Sequence, residues 1–172
     1  MRTVSMDPSV ESFPGLQSER GTILHKTIHW ALVAYVVFVF IQSLFFKFTG
    51  SEETEIIFGT IGDWMAGIEG LSALAPGFAK YGGYVVGAAE LMASMLLLIP
   101  KTRFWGALLG IGAISGAIFF HLFTPLGVNR TIDAAGNTDG GVLFFMACGV
   151  WISCAVLLFW NRPRAVHTKS VN

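Results

Sequence analysis

The chain is poor in charge. Only 13% of its 172 residues are Asp, Glu, Lys or Arg, against about 25% in an ordinary soluble domain. Eleven basic and eleven acidic residues leave a formal net charge of zero, which excludes the basic footprint of a nucleic-acid binder. Cysteine is scarce as well. Cys148 and Cys154 are six residues apart, so on a helix they point to different sides and do not pair. Without a CxxC motif, thiol–disulfide exchange lacks its usual apparatus, and both residues read as small packing groups. There is no repeat of solenoid period and no low-complexity tract. Too little polar sequence is left to build a second domain.

What is present is hydrophobic: 53% of residues, with a mean hydropathy of +0.64. Charges gather at the ends and between long apolar blocks, which is a membrane pattern. Uncharged runs predict four spans, at about 27–47, 81–100, 104–124 and 140–160, each near the ~20 residues that cross a bilayer. The first is too long for a signal peptide, follows a long polar segment and shows no small-residue cleavage site, so it reads as a retained span. The expected organisation is a cytoplasmic N-terminal segment (1–24), a four-helix transmembrane domain (25–160) and a cytoplasmic tail (161–172). Met1–Ser18 and His167–Asn172 read as loosely ordered.

Lys and Arg orient the bundle. Arg2, Arg20, Lys26, Lys101, Arg103, Arg162, Arg164 and Lys169 fall on one side, and Lys47, Lys80 and Arg130 on the other. By the positive-inside rule both termini are cytoplasmic. The segment Phe48–Lys80 is too long for a simple connector. Within it Ile57, Ile61, Trp64, Met65 and Ile68 recur at helical spacing. Ser51 can cap such a helix, and Glu52, Glu53 and Glu55 suit its positive end. This predicts an amphipathic helix on the outer surface or capping the bundle, with Pro76-Gly77 breaking the chain before the second span. The fold class expected is therefore all-α, an integral membrane four-helix bundle with an extra amphipathic outer-surface helix between the first and second spans.

Glu90 is the residue that most needs explaining. It lies within Tyr81–Pro100, which holds no other charge. A charge at the bilayer centre costs at least about 2.5–3.5 kcal/mol on insertion scales, so something inside the protein must use it or pair with it. Gly83, Gly87, Glu90 and Ser94 share one helical face, and so do Gly106, Gly110, Ala113, Ala117 and His121. Small residues let helices approach in lipid, so both ionisable groups continue packing stripes and point inward. At 1.5 Å per residue, Glu90 lies about 13 Å and His121 about 6 Å from the outer ends of their spans. Their side chains lean toward each other, which predicts a direct or water-bridged Glu90–His121 contact. Gln42 lies at a similar depth to His121. Lys47 is one turn further out and reads as a snorkelling anchor or a second polar contact. Five residues separate Gln42 from Lys47, so they do not share a face. The fourth span offers Cys148, Ser153 and Cys154 inside and Asp139 at its outer end. These placements predict a polar pocket in the outer half, built from the first three spans.

Each of these residues also has a plain structural reading: Glu90 and His121 as packing ties, Gln42 as interhelical glue. His25 and His29 are four apart, but nothing supplies further metal ligands nearby, so an interfacial role is expected. Gly110-Ile111-Gly112-Ala113-Ile114-Ser115-Gly116 looks like a dinucleotide fingerprint but follows no strand; Gly112 and Gly116 read instead as helix-contact positions. Asn129-Arg130-Thr131 fits a glycosylation sequon. Three of the tryptophans Trp30, Trp105, Trp151 and Trp160 lie near span ends and suit a cytoplasmic aromatic belt.

Ser43-Leu44-Phe45-Phe46-Lys47-Phe48-Thr49-Gly50 closes the first span. Gly87-Ala88-Ala89-Glu90-Leu91 lies in the second, followed by Leu96-Leu97-Leu98-Ile99-Pro100. Phe120-His121-Leu122 and Asp139-Gly140-Gly141 come later. In this order and spacing, over roughly Ala31 to Leu158, the chain resembles the DoxX-like family of small four-helix bacterial membrane proteins. The resemblance implies a prokaryotic inner-membrane bundle, and some relatives are linked to thiosulfate oxidation with quinone as acceptor. The family's lysine and glutamate positions map onto Lys47 and Glu90; no agreed catalytic set accompanies them. The leading expectation is a quinone-linked redox subunit, with Glu90 and His121 as catalytic groups and Gln42, Lys47, Glu90 and His121 as quinone contacts, and no metal. The chain carries no flavin, haem or cluster motif of its own, so its partners beyond the lipid bilayer include another protein subunit or a second copy, and no nucleic acid. The alternative is a non-catalytic accessory or assembly subunit of a membrane complex. A small-solute or proton transporter is weaker, with one buried carboxylate and no evident inverted repeat.

Overall fold

Four long apolar stretches and one shorter, acidic-ended stretch become five helices in the computed structural model, which describes residues 14–163, with side chains from residue 21 onward. They are α1 (Pro14–Thr49), α2 (Glu52–Ala66), α3 (Ala75–Leu98), α4 (Arg103–Phe123) and α5 (Val142–Trp160). The described residues contain no strand, only an isolated bridge between Thr131 and Thr138. The side chains of Arg2, Arg20, Arg164 and Lys169, and most of the terminal segments expected to be loose, lie outside the described residues.

α1, from Gly21 on, and α3, α4 and α5 are long and apolar enough to cross a membrane. The chain is a multi-pass membrane protein of all-helical build. Two helices start earlier than the charge-free runs predict. α1 begins at Pro14 and α3 at Ala75, with Pro76 in the first turn of α3. Proline in a first turn forfeits no intrahelical bond, so Pro76 opens α3 where a break was expected.

The bundle closes as a ring in which α1 neighbours α3, α3 neighbours α4, α4 neighbours α5, and α5 returns to α1. Its core is Val33, Val36, Val39 and Phe40 of α1, Ala93 and Leu97 of α3, Ala107 and Ile114 of α4, and Ala147, Val150, Cys154 and Leu157 of α5. Both cysteines are free thiols. Gly106 lets α3 and α4 touch: a Cβ there would lie 2.7 Å from the Leu97 backbone nitrogen and 3.0 Å from the Ala93 carbonyl oxygen. Gly112 and Gly116 are not contact positions, because a Cβ at either meets nothing within 4 Å. They lie off the face that carries Gly106 and Gly110.

α2 packs chiefly on the early turns of α3, which extend beyond the end of α1. Ser51 caps it by accepting from the Thr54 amide, and Glu52, Glu53 and Glu55 occupy its first turn. It buries Phe58, Ile61, Gly62 and Met65. Gly62 sits against Ala75 and Ala79, and Phe58 lies over Gly82 and Gly83. The helix stops at Ala66 with Gly67 as its cap, so Ile68 falls outside it. Ile61, Met65, Ala75 and Leu126 form a second small core. The α4–α5 connection turns at Asp133, whose carboxylate accepts from the Asn137 side chain and amide; these bonds hold its pKa below the ordinary carboxylate value.

Candidate functional site

Glu90 is buried, at 5% exposure, and its partner is Lys47. The Lys47 ammonium donates to both carboxylate oxygens, at 3.0 and 2.9 Å, and to the Ser43 hydroxyl one turn earlier on α1. Lys47 is thus an interior cation and not a snorkelling anchor. Register explains this. Because α3 starts at Ala75, its first turns project past α1, and Glu90 falls level with the last turns of α1. Leu44 and Phe48 lie over Gly87 one turn away, which holds the two helices close enough for the pair to form.

The expected Glu90–His121 contact is not among the hydrogen bonds. His121, 4% exposed, bonds instead through Nδ1 to the Gly127 carbonyl at 2.7 Å. Gly127 has φ +70°, a left-handed turn that suits glycine and brings the chain back over the end of α4. Since a carbonyl only accepts, Nδ1 carries the proton, and in the neutral ring Nε2 is left as an acceptor. The ring meets Phe144 edge-on at 5.7 Å.

Although unpaired with each other, Glu90 and His121 line one cavity of about 330 Å³, together with Gln42, Ser43 and Lys47. Gln42 and Lys47 therefore do border a common space, although Gln42 is exposed and Lys47 half-buried. The cavity is wider in origin than expected. It is bounded by all five helices: Phe58 and Ile61 from α2, and Leu143 and Met146 from α5, complete its apolar wall with Phe46 and Phe120.

Arg130, which sequence reasoning used only as a loop charge, is 2% exposed and lines the same cavity. Its Nη2 donates to Glu53 of α2, and its Nε lies 3.4 Å from Asp139 Oδ2 as an ion pair without hydrogen-bond geometry. Asp139 also accepts from the Gly141 and Leu143 amides at the start of α5. Arg130 Nη1 is buried and has no partner among the described residues. The signal for this cluster was a lone arginine among acidic residues flanking helix starts; it named no partners because Glu53 is 77 residues away in sequence.

The opposite end of the bundle carries a cluster of polar and aromatic side chains. Arg103 is buried, donates through Nε to the Leu97 carbonyl at 2.9 Å and stacks over the Trp30 ring at 4.0 Å. His29 Nε2 faces both Arg103 Nη1 and Asn161 Nδ2 at 3.4 Å, and the His25 ring lies 4.6 Å from that of Trp160. These residues tie α1, α4 and α5 together. Among the described residues no group of three or more His, Cys, Asp or Glu side chains gathers as metal ligands.

The arrangement offers a chamber with apolar walls, donors at Gln42 and Arg130, an acceptor at His121 and a buried Lys47–Glu90 pair able to hold or pass a proton. No family model, no curated protein and no solved structure matches the chain.

Proposed function

We propose that the protein is a quinone-linked redox subunit of the DoxX-like type and that the cavity receives the quinone head group. The observation that carries this reading is the convergence of Gln42, Lys47, Glu90 and His121 on one cavity whose walls are apolar apart from these groups, Ser43, Thr54 and the Glu53–Arg130–Asp139 cluster. Its volume of about 330 Å³ falls within the range of small-ligand sites, which pair hydrophobic walls with a few placed polar groups. A quinone supplies two-electron chemistry coupled to proton uptake. The chain's own residues would supply the rest. The Gln42 amide donates to a carbonyl oxygen. His121 Nε2, as the acceptor of a neutral ring, would accept a hydrogen bond from a hydroxyl of the reduced, quinol form. Lys47 and Glu90 share one transferable proton between ammonium and carboxylate.

In this reading the end bearing α2 faces outward, α2 caps the bundle there, and the termini are cytoplasmic in a prokaryotic inner membrane. Electrons come from a partner protein. The experiment is purification in lipid nanodiscs followed by solvent extraction. Near-stoichiometric quinone is expected, with loss of most of it in His121→Phe and Gln42→Leu. Added quinone should also raise the melting temperature of stripped protein, since a ligand that binds only the folded state stabilises it. A stoichiometric protein partner with no quinone and no thermal shift would favour the accessory-subunit reading.

A further inference from the structure

Gln42 borders two spaces at once. Besides the polar cavity, it ends a hydrophobic groove of about 560 Å³ on the outside of α1, lined by Trp30, Ala34, Val37, Phe38, Ile41 and by Leu98 of α3. From Trp30 to Gln42 this groove follows α1 for about 18 Å at the helical rise. Gln42 lies within a candidate span, its side chain is exposed, and no hydrogen bond to it is present among the described residues. An amide facing hydrocarbon loses its water partners and gains none. A ligand whose polar end bonds Gln42 from the cavity would remove that penalty. The cavity suits a head group, and the groove, with Gln42 its one polar lining group, suits a chain.

We infer that the ligand is a prenyl-chain lipid that enters sideways from the bilayer past Gln42, with its head group in the polar cavity and its chain lying along α1 between Ile41 and Trp30. This rests on the quinone reading above and adds the chain and the route. Ala34 is exposed in the groove wall, so Ala34→Phe fills the groove without entering the core. Ala88→Phe, at an exposed alanine of α3 outside the groove lining, is the control.

The experiment uses the full chain in nanodiscs and two probes: a benzoquinone carrying several isoprene units, and the same head group with a methyl in place of the chain. Binding is read by thermal shift against mole fraction of probe in the lipid, which removes the difference in partitioning. The wild type should prefer the chain-bearing probe by about tenfold or more. Ala34→Phe should abolish that preference while leaving the methyl probe unchanged, and Ala88→Phe should alter neither. Equal affinity for the two probes, or a preference that survives Ala34→Phe, overturns the groove assignment and leaves the head-group site standing. Failure of both probes to bind overturns the quinone reading and this inference with it.

Discussion

The Lys47–Glu90 pair dominates the energetics of the cavity wall. Its side chains are 14% and 7% exposed, so each charge depends on the other for what water would otherwise supply. Breaking such a pair from one side costs about 3–5 kcal/mol, whereas replacing both partners with apolar groups is often neutral or better. Glu90→Gln should therefore lower the melting temperature markedly, and so should Lys47→Met. The double variant Lys47→Met/Glu90→Leu should recover most of the loss, as measured by thermal unfolding in one detergent. A double variant no more stable than the worse single would show that the pair's contribution lies elsewhere. The inward direction of Glu90 was legible because it continues a stripe of small residues. Its partner was not. Pairing across helices depends on their axial offset, and that offset follows from where α3 begins. A first-turn proline read as a break concealed six further residues of helix. For the same reason Lys47, taken as an edge residue by counting along α1 alone, proved to lie level with Glu90.

At the scale of elements, the contacts are set by which glycines meet backbone. Gly106→Ala places a Cβ 2.7 Å from the Leu97 nitrogen, and backbone cannot yield as a flexible side chain can. The α3–α4 interface must part, at about 1–3 kcal/mol. Gly112→Ala meets nothing and should stabilise by about 0.5–1 kcal/mol through helix propensity. Unfolding of the two variants side by side checks the sign of each. The four spans and the capped helix α2 were readable from charge-free runs and from Ser51 with its three glutamates. The face of α4 was only partly readable: Gly106 and Gly110 were assigned correctly, and Gly112 and Gly116 were not, since their spacing does not distinguish a contact face from its neighbour. Helix α2 is held to the α5 start through Glu53, Arg130 and Asp139. Arg130→Met leaves two carboxylates without their cation. The loss should be on the order of 2–3 kcal/mol, below the figure for a fully buried pair because Glu53 is 29% exposed. It should appear as faster hydrogen exchange confined to α2 and the loop 124–141, with the α1, α3 and α4 core unchanged.

For the molecule as a whole, the two ends of the bundle differ in kind. One carries the linked side chains of Arg103, Trp30, His29 and Asn161; the other holds the cavity beside α2 and the Arg130 loop. If the Arg103 end is cytoplasmic, as the distribution of Lys and Arg predicts, then the cavity lies in the half of the bilayer facing away from the cytoplasm. On the quinone reading proposed above, a donor arriving from that side would then act close to the cavity. Single cysteines decide this directly. Lys101, in the α3–α4 turn, and Ala135, in the α4–α5 loop, are both exposed, and they lie at opposite ends of the bundle. In a Cys148→Ala background Cys154 can remain, since it is 0% exposed. A membrane-impermeant maleimide should label Ala135→Cys on intact cells and Lys101→Cys only after permeabilisation. The reverse pattern would turn the cavity toward the cytoplasm and, on the proposed quinone reading, place the electron donor there.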